Sequence, residues 1–147
     1  MSSLRSYAPI LYASIMQNFD YPGIYIVQLS NIEPMPVTRD PRYADICAKV
    51  NNANVKIGKA TNLARRKLDY WNDFDQENVI FEPLVKIHDL KVAEKEILRS
   101  LKQYRKTSPN GGKLEWLEGI SYDVAKRMVF ETLDRSGIKY TLVEENT

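Results

Sequence analysis

The sequence has one cysteine and one histidine, Cys47 and His88. An internal disulfide is therefore excluded, and no Cys/His set exists for a structural zinc site. Any metal must be held by carboxylates. No apolar run approaches the about 20 residues that a membrane span requires. The segment from Ala8 to Met16 is apolar and follows Arg5, as a leader peptide would, but it holds Tyr12 and lacks a small-x-small cleavage pattern. The chain is read as soluble, intracellular and cytoplasmic. Charge of one sign is also missing, since the formal net charge is only +2. What is there suits one domain with one core: 147 residues, 44% hydrophobic and 27% charged.

The charges are unevenly placed. Lys56, Lys59, Arg65, Arg66 and Lys67 follow one another without an acid between them. From Lys86 to Lys106 seven basic residues face Asp89, Glu94 and Glu96, while acids collect between Asp69 and Glu82 and at Glu144-Glu145. Such an asymmetry suits a phosphate-facing side, although solvated faces of ordinary helices produce it too.

Local patterns give an alternation of strands and helices. Tyr21 to Leu29 is rich in Ile, Val and Tyr and reads as a strand. Ser30 to Ala53, with Pro34, Pro36 and Pro41, reads as a long irregular loop with a helical turn over Tyr43 to Val50, and loops of that length are often functional. Asn54 to Ala60 is a second strand, with Val55 and Ile57 on one face and Lys56 and Gly58 on the other. Thr61 or Asn62 caps a helix to about Asn72, on which Leu63, Arg66 and Tyr70 share a stripe. Val79 to Ile87 is a third strand, and Asp89 caps a helix expected to reach Arg105. Lys113 to Leu117 is extended. Ser121 caps a last helix ending before Gly137, with Val124, Met128 and Leu133 inward, and Ile138 to Val143 closes as a strand.

In the helix from Asp89, Leu90, Ala93, Ile97, Leu98, Leu101 and Tyr104 form one apolar arc. Glu94 falls inside it and Glu96 outside. A carboxylate on an inward face is costly unless paired, hydrogen-bonded or bound to a cation. Glu94 is therefore either a glutamate paired with a nearby base or a metal ligand.

Two strings carry the chemistry: Gly23-Ile24-Tyr25, and Lys56-Ile57-Gly58-Lys59-Ala60 leading through Asn62-Leu63 to Arg66 and Tyr70. A tyrosine, a lysine and an arginine at fixed offsets around a glycine turn are groups that hold a phosphodiester. In order and spacing these strings resemble the core of the GIY-YIG endonuclease superfamily. The second is similar to the nuclease module of the UvrC repair proteins. Glu94 on a helix, then Arg105 and Glu115-Trp116, resembles the branch of that superfamily named after a phage open reading frame.

The resemblance runs from about Tyr21 to Leu117 and leaves residues 118–147 as a helix-strand extension. It implies a small α+β domain, an antiparallel sheet flanked by helices, that cuts DNA with one Mg²⁺ or Mn²⁺ ion. It implies that Tyr25 orients or deprotonates the attacking water, with Tyr70 sharing that task, that Lys59 is the motif lysine, that Arg66 is the essential arginine, and that Glu94 is the metal ligand. Lys56 stands where the superfamily's second tyrosine is expected, as it often does in the phage-type branch. The Ser30 to Ala53 segment is an insertion that shapes substrate access, and Asn110 is the nearest counterpart of a family asparagine.

Glu115-Trp116 reads most simply as a core tryptophan positioned by a local ion pair, and Cys47 and His88 as structural. The rival reading is a catalytically inactive nucleic-acid-binding module on the same fold, and a blander one is a protein-binding domain. Specificity is expected from the insertion, the last helix, a homodimer or a partner.

Overall fold

The computed structural model describes residues 19–143, so the Ala8 to Met16 segment lies outside the described residues. The Ile24-Tyr25-Ile26-Val27 run of strand formers makes β1 (Gly23–Leu29), buried on both faces except at Gln28. It lies centrally in a sheet of six strands, between β4 (Asn54–Ala60) and β5 (Val79–Lys86). The order is β6-β7-β4-β1-β5-β8, where β6 is Arg105–Thr107, β7 is Lys113–Glu118 and β8 is Thr141–Leu142. Every pairing is antiparallel. The expected α+β fold, an antiparallel sheet flanked by helices, is the fold observed.

A sheet buried on both faces needs cover on both. Helix α1 (Leu63–Phe74) supplies one layer, packing Leu63, Tyr70 and Phe74 with Tyr25, Val27 and Trp116. Helices α2 (Leu90–Ser100) and α3 (Tyr122–Arg135) cover the other, where Ala93, Ile97, Val129 and Leu133 meet Ile24, Ile26, Val55 and Ile57. The period-two alternation of β1 and β4 thus assigns side chains to the two layers. Asn62, Asp89 and Ser121 each cap a helix by accepting from the backbone N–H three residues on.

The β1–β5 ladder skips a residue between Ile24 and Tyr25, which face Val85 and Pro83. Leu84 is the extra residue, and Pro83, which has no N–H to give, sits beside the bulge. The irregularity therefore falls at Tyr25.

Three segments differ from expectation. The helix from Asp89 stops at Ser100, because Arg105 is drawn into β6. Its Nε donates to the Leu114 carbonyl at 2.7 Å and a terminal nitrogen to that of Lys113 at 3.2 Å. On α3 the buried residues are Ala125, Val129, Thr132 and Leu133, so Val124 and Met128 lie at the margin of the stripe. The Ser30 to Ala53 insertion is a small antiparallel ribbon, with β2 (Met35–Pro36) paired to β3 (Lys49–Val50) and turns between them. Arg39 ties it to the end of α1: its Nε donates to the Asp73 carbonyl, and its guanidinium meets the Asp75 carboxylate at 2.9 Å.

Asn54 is one of the few buried polar residues. Its amide donates to the Leu117 carbonyl at 3.1 Å and its oxygen accepts from the Asn51 N–H at 3.0 Å, joining the end of the insertion to β7. Asn54→Ala removes both bonds and is expected to lower stability by about 1–3 kcal/mol, read as a lower urea midpoint at unchanged slope.

Candidate active site

The site is built around Tyr25 and Gly58, which face each other across β1 and β4. A Cβ at position 58 would overlap the Tyr25 hydroxyl and ring, so glycine lets the phenol lie flat across the neighbouring strand. That path brings the Tyr25 hydroxyl 2.7 Å from the hydroxyl of Tyr70 on α1. Phe81 stacks on the Tyr25 ring at 4.8 Å between centroids, and Tyr70 meets it edge-on at 5.6 Å. Trp116 meets Tyr70 and Phe74 edge-on. Trp116 is thus the expected core residue, closing the aromatic wall from β7.

Lys56 lies on the same face of β4. Its ammonium stands 5.2 Å from the centre of the Tyr70 ring and 5.8 Å from that of Trp116, and 3.7 Å from the Glu115 carboxylate. Burial is the main force that lowers its pKa, assisted by the Arg66 charge and opposed by Glu115. Arg66, one helical turn before Tyr70, lines a small cleft of about 90 Å³ with Lys56, Asp69, Tyr70, Asp73, Trp116 and Val37 from the insertion.

Both phenols hold their protons tightly. Burial pushes Tyr25 up to about 12, against a downward pull from the Tyr70 hydrogen bond and from Arg66. Tyr70 is raised well above the ordinary phenol value, again chiefly by burial. Burial likewise raises Asp69 and Asp73, with Arg66 pulling both down.

Lys59 takes the alternate side of β4, toward α2, and its ammonium meets Glu94 at 3.1 Å. The Glu94 side chain is 16% exposed, which makes it a carboxylate at the rim of the apolar arc with a basic partner. It is not remote from the other residues, since its charge adds a small upward pull on the pKa of Tyr25 and opposes the lowering at Lys56. The structure therefore places Tyr70, Lys56 and Arg66 around one cleft, with Tyr25 buried behind Tyr70 and joined to it by the hydroxyl pair, and sets the Lys59–Glu94 pair on the other side of β4, outside the cleft lining. Glu96 lies apart, paired with Arg99 at 3.3 Å. Asn110 belongs to the β6–β7 turn, where it accepts from the Gly112 N–H, and does not line the cleft. His88 is exposed, between Lys86 and Lys139.

Four contributors escaped the sequence reading. Asp69 and Asp73 continue the Arg66–Tyr70 stripe at helical spacing, so their position was available from periodicity. Phe81 and Val37 arrive through strand pairing and the Arg39 tie, which leave no local pattern.

Because Tyr25 binds its proton more tightly folded than unfolded, its contribution to stability is complete below pH 10 and is lost as pH rises toward 12. The expected loss is at most about 3 kcal/mol, and Tyr25→Phe removes that part of the slope. Denaturation at fixed pH values between 9 and 12, beside tyrosinate absorbance, checks it. Gly58→Ala should cost about 1–3 kcal/mol and lower the pH at which Tyr25 ionises, read by the same absorbance.

Comparison with known proteins adds a family. No curated protein and no solved structure matches the chain. A family model described as the T5orf172 domain matches residues 41–133, from within the insertion through most of α3, and takes in Lys56, Gly58, Lys59, Arg66, Tyr70, Glu94 and Glu115 but not Tyr25. Since the match spans more than half of the sequence, the chain belongs to the T5orf172 domain family.

Proposed function

We propose that the protein is a metal-dependent endonuclease of the GIY-YIG type that hydrolyses DNA phosphodiester bonds at the cleft between α1 and β4. Family membership associates the chain with nuclease-like proteins and supports a nuclease or DNA-binding role. The observation that carries the finer reading is the Tyr25 hydroxyl, lying over Gly58 and joined to that of Tyr70, with two cations, Lys56 and Arg66, lining the cleft beside Tyr70.

The planar fork of Arg66 suits the non-bridging oxygens of a phosphate as negative charge grows on them. Lys56 adds a second positive charge, and of the groups lining the cleft it is the cation whose proton burial loosens. Tyr25, buried and with its proton held to about 12, suits positioning the Tyr70 hydroxyl, which lines the cleft and would orient a water or phosphate oxygen, rather than removing a proton at neutral pH.

Glu94 fits a hard divalent cation as a single oxygen donor. Among the described residues no group of three His, Cys, Asp or Glu side chains stands ready to hold an ion. The remaining positions would fall to water and the phosphate, as Mg²⁺ commonly allows. Mg²⁺ or Mn²⁺ held there supplies Lewis-acid stabilisation of the leaving oxygen. Lys59 would yield its place on the carboxylate.

The 3.1 Å Lys59–Glu94 pair also favours a second reading, a nucleic-acid-binding module whose metal ligand is permanently occupied by its own lysine. Nicking of supercoiled plasmid with Mg²⁺, Mn²⁺ or EDTA separates the two. The expected result is metal-dependent nicking, slowed about 10²–10³-fold in Arg66→Ala and absent in Glu94→Ala of unchanged circular dichroism. Plasmid bound yet intact under every metal would leave the binding module as the account.

A further inference from the structure

The insertion and the β6–β7 turn enclose a groove that the phosphate chemistry does not use. It is lined by Val37, Tyr43, Ile46, Cys47 and Ala48 on one side and by Ser108, Pro109, Asn110 and Leu114 on the other, and its volume is about 540 Å³. That lies within the roughly 300–1,000 Å³ of pockets that take organic ligands. Val37 lines both the groove and the cleft of Lys56 and Arg66, so the two adjoin at that residue. The Arg39 tie to Asp73 and Asp75 holds this junction against the end of α1.

The groove's chemistry is that of a base platform. Tyr43 is 49% exposed and Ile46 67%, both among the most exposed large apolar residues described. The Arg42 guanidinium lies over the Tyr43 ring at 5.2 Å, steered there by Asp40 at 2.8 Å. Both oxygens of Asp40 hold that guanidinium, so it steadies the ring rather than supplying free charge, and the exposed ring is a surface on which a nucleobase stacks. Across the groove the Asn110 side-chain oxygen is taken by the Ser108 hydroxyl and the Gly112 N–H, which leaves the Asn110 amide nitrogen as the donor to a base edge.

We propose that this groove receives an unpaired DNA base adjacent to the phosphate held in the cleft, with Tyr43 as the stacking residue. The substrate class is then DNA with a single-stranded, bulged or extruded nucleotide, since a stacked base inside a duplex presents no face to a tyrosine. This rests on the nuclease or binding reading of the cleft and specifies its substrate.

The test uses the full chain in EDTA, so that it reads binding without turnover. The probes are a duplex with one bulged 2-aminopurine and the same duplex fully paired. The bulged probe is expected to bind more tightly and to lose fluorescence on binding. Tyr43→Ala should weaken the bulged probe about tenfold, abolish the quench and leave the paired duplex unchanged, whereas Tyr43→Phe should behave as the wild type. Equal affinity of the wild type for both probes, an equal loss on both in Tyr43→Ala, no binding of either, or a change in sedimentation in Tyr43→Ala that marks the groove as a contact between copies overturns the proposal. Failure of plasmid nicking beside the expected quench would remove the nuclease and keep the groove. Nicking without the quench would do the reverse.

Discussion

The passage of the Tyr25 ring over a glycine in the neighbouring strand is the constraint on which the rest of the site depends. It uses the one position of β4 where no side chain rises, and it carries a hydroxyl from the central strand to a hydrogen bond with the helix that covers it. Once the two phenols are joined, the aromatic wall of Phe81, Phe74 and Trp116 has fixed partners, and the ammonium of Lys56 has a ring to stand over. Packing and chemistry here are one arrangement. The dry aromatic surroundings that hold the hydroxyls in place are also what keeps their protons on.

A second regularity lies in the lysines. The two that flank Ile57-Gly58 leave β4 on opposite sides, and each finds a glutamate from a different element, Glu115 on β7 and Glu94 on α2. The strand's alternation thus distributes a run of like charge into two separate pairs. Among the described residues Arg66 makes no such ion pair, yet its charge is felt by Tyr25, Tyr70, Lys56, Asp69 and Asp73 alike. It acts as the electrostatic centre of the cleft.

Much of this was legible in the sequence where the cause is local. Strand and helix positions followed from residue alternation and from the caps Asn62, Asp89 and Ser121. The inward placement of Glu94 and the stripe of Leu63, Arg66 and Tyr70 followed from helical spacing. What was not legible depends on pairing between distant segments. The early end of α2 is decided by β7, which competes for the backbone from Arg105 onward. The insertion could be recognised by its length and prolines, but nothing local tells that Arg39 fastens it to Asp73 and Asp75. Nor does a local pattern show that Phe81 would stack on Tyr25.

The paired lysines bear on how a polyanion would find this surface. With Lys56 and Lys59 already matched by glutamates and a formal net charge of only +2, little of the positive charge in the central strand projects into solvent as a long-range field. A DNA strand would gain the full attraction of these groups only after arriving and exchanging its phosphates for the resident carboxylates. Recognition of that kind would be limited by contact more than by long-range steering, with selectivity exercised as the internal pairs open.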